Sequence, residues 1–265
     1  MTINISSKDN ERVKYTKSLL KSKNRQKESK FIIEGYRILT LAIECNADLD
    51  YVFINETFEN KEEHKNFLKV LEEKNIKIFK TTNKIFNELI DTENTQGILG
   101  VVRFKEKKIE HNIKNEDKFV LILDRIQDPG NMGTIIRTAD AAGVDEIIAL
   151  KGCVDIYNPK VIRSTMGSIF DMNIIHCTQE ECLRELKLKD FNIVSSYLNT
   201  DNYYHETDYG KKVALVIGNE ANGVNDELID ESDILVKIPI YGNAESLNAA
   251  ISSAILMYEI KKYLS

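Results

Sequence analysis

Three loops, each following a strand-like run, carry the residues of this chain that could do chemistry. The first lies in DRIQDPGNMGTIIRTADAAG (124–143), which places Gly130, Asn131 and Gly133 at a strand's carboxyl end and Arg137 on the first turns of the next helix. Ligands bind at that position in open α/β sheets, and a guanidinium near a helix's positive end could clamp an anion there. Pairing with Asp140 is the plainer use of Arg137. The second loop, VIGNEANGV (216–224), holds Gly218, Glu220 and Gly223. Such loops often serve as turns alone, but a carboxylate amid glycines must be solvated, paired or used. The third, IPIYGNAESLNAA (238–250), sets Ser246 and Asn248 at the start of the last helix. Helix capping would explain either residue alone. Turns need Gly, Asn and Asp; they do not need Asn, Arg, Glu, Ser and Asn spread over three loops. None of the three loops contains a histidine, so the chemistry they suggest is positioning and charge stabilisation rather than imidazole base catalysis.

The elements that must position these loops alternate in the manner of a parallel sheet. FVLILD (119–124), EIIAL (146–150), VALVIG (213–218) and ILVKIPI (234–240) read as buried strands, with a helix at 132–142 between the first two. The final helix, 246–264, sets Leu247, Ala250, Ile251, Ala254 and Tyr258 on one face. Upstream, FIIEGYRILTLAIE (31–44) begins extended and turns helical; YVFIN (51–55) and IKIF (76–79) are strand-like around a charged helix, 64–74. The stretch 105–118 is charged, has no large apolar face and reads as a linker. The organisation expected is a basic arm with a small α/β domain over 1–107, a linker at 108–117 and a second α/β domain over 118–265.

The 265 residues, 42% hydrophobic and 29% charged, suit a soluble protein of two domains. The start of the chain lacks a signal-like apolar run and no stretch is long enough to span a membrane, so a cytoplasmic protein is expected. Four cysteines without a CxxC pair and four scattered histidines, including the neighbours His176 and Cys177, give no zinc-ligand rhythm, and no metal is expected. The net charge of −6 is uneven: residues 1–37 hold ten Lys/Arg against four Asp/Glu. Lys14, Lys17, Lys21, Lys23, Arg25 and Lys27 could therefore meet a polyanion at a defined place, or they could form a solvated helix face. PGNMGT does not supply the G-x-G-x-x-G of a dinucleotide enzyme, which weighs against an ordinary Rossmann enzyme.

In order, the loops resemble the three motifs of the SpoU (TrmH-like) branch of the SPOUT RNA methyltransferases. Asn131-x-Gly133-x-x-x-Arg137 is similar to the first motif, Gly218-x-Glu220-x-x-Gly223 to the second, and Ile238-Pro239 through Ser246-Leu247-Asn248 to the third. The likeness covers about 119–264; EGYRIL and TQGILGVV give a weaker likeness to the family's ribosomal-protein-like substrate-binding domain. SLNAA stands where the third motif usually ends SLN-V-S, so the helix start is less polar. The resemblance implies a trefoil-knotted α/β domain, a homodimer, and S-adenosylmethionine as methyl donor. The acceptor would be a ribose 2′-hydroxyl of structured RNA, ribosomal in preference to transfer RNA. It also implies that Gly218, Ile238 and Leu247 hold the cofactor, with Asn131, Arg137, Glu220, Ser246 and Asn248 around the reacting centre. The competing expectation on the same fold is a catalytically silent RNA-binding protein.

Overall fold

The computed structural model describes residues 2–90, 92, 94–219 and 221–265. It divides into two compact units: the chain up to Lys105 joined by Tyr157–Phe170, and Glu106–Ile156 with Asp171–Ser265.

The first unit is built on a five-stranded sheet of β1 (Thr2–Ile5), β2 (Lys30–Glu34), β3 (Leu49–Asn55), β4 (Lys77–Thr81) and β5 (Ile98–Arg103), in the order β1-β4-β3-β5-β2. β1, β4 and β3 are parallel, whereas β5 runs antiparallel to β3 and β2. Successive side chains of β3 enter opposite cores: Val52 and Ile54 pack with Phe31, Phe58 and Phe67, and Tyr51 and Phe53 pack with Val13, Leu19 and Phe79. Both faces are covered, which is why the strand reads as a continuous apolar run rather than an alternating one.

The basic segment is no free arm. β1 pairs with β4, and Val13, Thr16 and Leu19 of the next turns are buried. Arg25, expected at phosphate, is only 2% exposed. Its Nη1 donates to the carbonyls of Leu19 (2.9 Å) and Leu20 (2.8 Å), just past the Glu11–Ser18 helix. Carbonyls at a helix end lack intrahelical partners, and a buried guanidinium satisfies them. Lys14 and Lys17 are exposed but pair with Asp9 (2.9 Å) and Glu88 (2.6 Å). Lys21, Lys23 and Lys27 are exposed, the last 4.0 Å from Glu28.

Tyr157–Phe170 falls by sequence inside the second half of the chain but packs within the first unit. Tyr157 stacks on Phe31 (centroids 4.6 Å apart) and Phe104 (4.1 Å), while Ile162 of the Pro159–Thr165 helix enters the Phe31 core. Such stacking is long-range, and no local periodicity announces it. The charged stretch after Lys105 also differs from a free linker. Ile109 and Ile113, around a short Ile109–Asn112 helix, are each 2% exposed and join the second unit's core.

The second unit is an all-parallel sheet of β6 (Phe119–Leu123), β7 (Glu146–Leu150), β8 (Ile174–Cys177), β9 (Asn192–Ser196), β10 (Val213–Ile217) and β11 (Ile234–Val236), ordered β11-β9-β10-β6-β7-β8. With all strands parallel, the loops after β6, β10 and β11 leave from one edge. β11 stops at Val236, and Ile238–Ile240, expected to extend it, leave the sheet. The last helix, Ala249–Leu264, buries Ala249, Ala250, Ser253, Leu256, Met257 and Ile260. The face marked by Ile251, Ala254 and Tyr258 is instead the outer one, with Ile251 53% and Tyr258 54% exposed. No described helix is long and apolar enough to cross a membrane.

Candidate active site

The first loop is shorter than its glycines suggest. Asp128 caps a helix, Pro129–Ala142, by accepting the Asn131 N–H at 2.8 Å, and Pro129 stands at the first helical position, where a missing N–H costs nothing. Gly130, Asn131 and Gly133 therefore lie inside the helix, and Arg137 sits two turns in, away from the positive end where the sequence placed it. Arg137 is exposed and pairs with no carboxylate among the described residues, Asp140 included.

Asp124, Arg125 and the second loop form a hub that sequence reasoning passed over. Asp124 is 3% exposed; its carboxylate accepts Nε (3.0 Å) and Nη2 (2.9 Å) of Arg125 and the Asn225 N–H (2.9 Å). This charged clamp pushes the Arg125 pKa up, so the guanidinium keeps its charge. Arg125 adopts left-handed backbone, φ 56°, and its carbonyl accepts the Asn219 amide at 3.0 Å. Asn219 and Gly223 exchange backbone hydrogen bonds of 3.0 and 2.9 Å, which hold these two residues together. Gly218 sits against Gly223 and Val224: a Cβ there would lie 2.2 Å from Gly223 C and Val224 N. The only signal available in the sequence was an Asp-Arg pair at a strand's end, a common pattern with no fixed meaning.

The third loop meets the first through two amides. Asn248 caps the Ala249–Leu264 helix, its Oδ1 accepting the N–H of Ala250 (2.9 Å) and Ile251 (3.3 Å). With Oδ1 committed, its Nδ2 donates to Asn131 Oδ1 at 3.0 Å. The capping explanation and the site explanation of Asn248 are thus both true, since the cap is what aims the amide at Asn131.

Beside this pair lies a cleft of about 460 Å³ whose walls include Gly218, Ile238, Ser246 and Leu247, with Ile217, Val236 and Leu256 as apolar backing. That size falls within the roughly 300–1,000 Å³ usual for small-ligand sites. From Ile238 to Leu247 no backbone–backbone hydrogen bond forms among the described residues, so the loop presents main-chain donors and acceptors to an occupant. Apolar walls with main-chain polar groups and a glycine that excludes any side chain fit an adenosine-like cofactor with a charged tail. All three residues expected to hold the cofactor line this one cleft. Asn131 and Asn248 meet beside it; Arg137 does not line it; Glu220 lies outside the described residues. No group of His, Cys, Asp and Glu that could hold a metal occurs among the described residues.

Residues 118–258 match the family model for the SpoU rRNA Methylase family, and residues 10–100 match that for the MRM3-like substrate binding domain. The 23S rRNA (guanosine(2553)-2'-O)-methyltransferase RlmP of Bacillus subtilis (strain 168) is 32% identical over 257 residues, 97% of this chain and 98% of that protein. The AdoMet-bound rRNA methyltransferase from Sinorhizobium meliloti superposes with a TM-score of 0.90 at 28% identity, over 100% of this chain and 99% of that one. AviRb of Streptomyces viridochromogenes, a SpoU methyltransferase solved with AdoMet, superposes at 0.86 and 25% identity, over 96% and 97%. The three ordered motifs, the cleft lined by the second and third of them, and these matches across nearly the whole chain make it a member of the SpoU rRNA methylase family.

Proposed function

We propose that the chain methylates a ribose 2′-hydroxyl of structured ribosomal RNA in the cytoplasm, working as a homodimer. The observation that carries this reading is the convergence of Gly218, Ile238 and Leu247 on one cleft beside the Asn131–Asn248 pair. S-adenosylmethionine, bound there, supplies a methyl group made electrophilic by its sulfonium. Gly218 and the main chain of 238–247, which makes no backbone–backbone hydrogen bond among the described residues, would hold the donor against the apolar wall. Charge builds on the acceptor oxygen as its proton passes to water. A guanidinium keeps its own proton, so Arg137 acts by stabilising the developing alkoxide and gripping the neighbouring phosphate. Asn131, held by Asn248, and Ser246 line the approach.

Arg137 does not line the cleft of its own chain, and the Ala249–Leu264 helix leaves Ile251 and Tyr258 half exposed. Both features suit a second copy: the apolar helix face would be covered, and the guanidinium of one chain would serve the cleft of the other. The test is transfer of labelled methyl from S-adenosylmethionine to ribosomal RNA from a strain lacking the protein, followed by mapping of ribose methylation. One labelled 2′-O position is expected. A folded, cofactor-binding protein that labels no RNA and no ribosomal particle would leave the silent RNA-binding protein as the better reading.

A further inference from the structure

A second pocket, of about 330 Å³, lies entirely within the first unit and shares no residue with the cofactor cleft. Its wall joins the end of β2 to the segment Tyr157–Phe170: Glu34, Gly35, Arg37, Gln96, Arg163 and Met166. The local backbone is committed to this shape. Gly35 has φ +113°, a conformation that strains any side chain, and a Cβ there would press to 3.1 Å from Gln96 Oε1. That oxygen accepts the Tyr36 N–H at 2.6 Å, in place of the side-chain cap the Tyr36–Glu44 helix lacks. Its amide nitrogen is then the donor left for an occupant. Glu34 keeps one oxygen on the Thr92 hydroxyl at 2.6 Å, which fixes the carboxylate in place without using its full acceptor capacity.

The opposite wall is held with equal firmness. Met166 adopts left-handed backbone, φ 53°, and is 43% exposed although it is apolar. Gly167 beside it, φ +110°, fits so close to Leu41 that a Cβ would stand 2.4 Å from Leu41 Cδ1. Strained backbone at an exposed apolar side chain presents that side chain rather than hiding it. Arg37 is exposed and forms no ion pair among the described residues.

A simple anion would suit Arg37 and Arg163 but be repelled by Glu34, and a simple cation would meet the converse. A ligand suited to all of these groups carries a negative charge, a flat face for the thioether of Met166, and N–H donors for the carboxylate. A nucleotide has that set. Among the four bases, guanine alone has two adjacent N–H donors, N1 and N2, matching the two oxygens of a carboxylate. We propose that this pocket takes one unpaired guanine of the substrate RNA, a base other than the nucleotide being methylated. Glu34 reads its N–H edge, Met166 supports its face and Arg37 holds the adjoining phosphate. The inference rests on the RNA-methyltransferase reading and adds a specificity site to it.

The probes are short oligoadenylates carrying a single guanosine or a single inosine, which lacks the N2 amino group, with binding to the full chain followed by fluorescence anisotropy. The guanosine probe is expected to bind on the order of tenfold tighter than the inosine probe. Glu34→Gln, equal in size, should erase that preference and raise the KM for ribosomal RNA without changing cofactor affinity. Arg37→Gln should weaken both probes alike and flatten their salt dependence. Equal binding of the two probes to the wild-type chain, or a preference that survives Glu34→Gln, would overturn the assignment. In either case methyl transfer to ribosomal RNA by the wild-type chain would still stand. Failure of that transfer would remove the broader reading and this one with it.

Discussion

The two sheets of this protein place their loops differently. In the second unit every strand runs the same way, so the loops after β6, β10 and β11 leave from one edge and assemble the Asp124–Arg125–Asn219 hub, the Asn131–Asn248 pair and the cleft. In the first unit β5 runs antiparallel between β3 and β2, loops leave from both edges, and the pocket there needs a segment borrowed from far along the chain. Arginine shows the contrast most sharply. In the first unit Arg25 is spent inside, closing a helix end; in the second, Arg137 is kept outside with no carboxylate among the described residues to occupy it. A guanidinium already satisfied by the fold is structural, and one left over is available for chemistry.

That contrast can be broken by substitution. The largest effect is expected from Arg137→Ala, which should lower kcat by about 10²–10³ with cofactor affinity and melting temperature nearly unchanged, as measured by methyl transfer, calorimetry and thermal melting. Arg137→Lys should not rescue turnover, because a point charge lacks the planar fork. Equal loss of turnover and cofactor binding would remove Arg137 from the reacting centre. In mixed dimers, a chain carrying Arg137→Ala and a chain carrying a cleft-filling Gly218→Val should together recover part of the activity that each lacks alone; no recovery would contradict a guanidinium shared across the dimer.

Next in size, Arg25→Met should destabilise the first unit by roughly 2–4 kcal/mol, since the Leu19 and Leu20 carbonyls would lose a buried charged donor. Lys21→Ala with Lys23→Ala should leave stability within about 0.5 kcal/mol yet reduce the salt dependence of RNA binding. Urea melts and salt titrations separate the two outcomes, and an unchanged salt slope would mean that these lysines only solvate the surface.

Asn248→Ala should cost about 1 kcal/mol of helix capping, whereas Asn248→Asp should keep the cap; because neither side chain can donate to Asn131, both should lower kcat alike, and thermal melts beside methyl-transfer assays would separate the two roles of Asn248.

The smallest effect on turnover is expected at Glu146, at the amino end of β7. Burial, with nearby Asp117, pushes its pKa up to about 7, and its Oε2 has no hydrogen-bond partner among the described residues. A carboxyl whose folded pKa exceeds its unfolded value favours the fold while protonated, so stability should fall as pH rises from about 4.5 through about 7. Glu146→Gln should remove that loss and raise stability at pH 8 by on the order of 1–2 kcal/mol, measured by denaturant melts across pH. A pH profile identical to wild type would show that Glu146 does not carry the effect.

Much of the second unit was legible because its signals are local. Runs such as FVLILD and VALVIG carry their own burial, and Gly, Asn and Pro mark where each strand must end. The same locality explains the misreadings. The final helix is apolar on two faces, so spacing alone did not tell that Leu256 and Met257 turn inward while Ile251 and Tyr258 turn out. PGNMGT reads as a loop until Asp128 is seen to cap a helix that begins at Pro129.

By itself, then, the sequence determined four of the six strands of the second sheet, the three loops, their polar residues and the family those residues spell, since each depends on types and spacing within a few turns of backbone. Only the tertiary structure decided that Arg25 is buried, that Lys14 and Lys17 are paired, that Tyr157–Phe170 belongs with the first sheet, and that Asn248 reaches Asn131 across 117 residues of chain. Each of those is a contact between groups remote in sequence, and its free energy comes from desolvation and hydrogen-bond geometry that exist only once the chain has closed on itself.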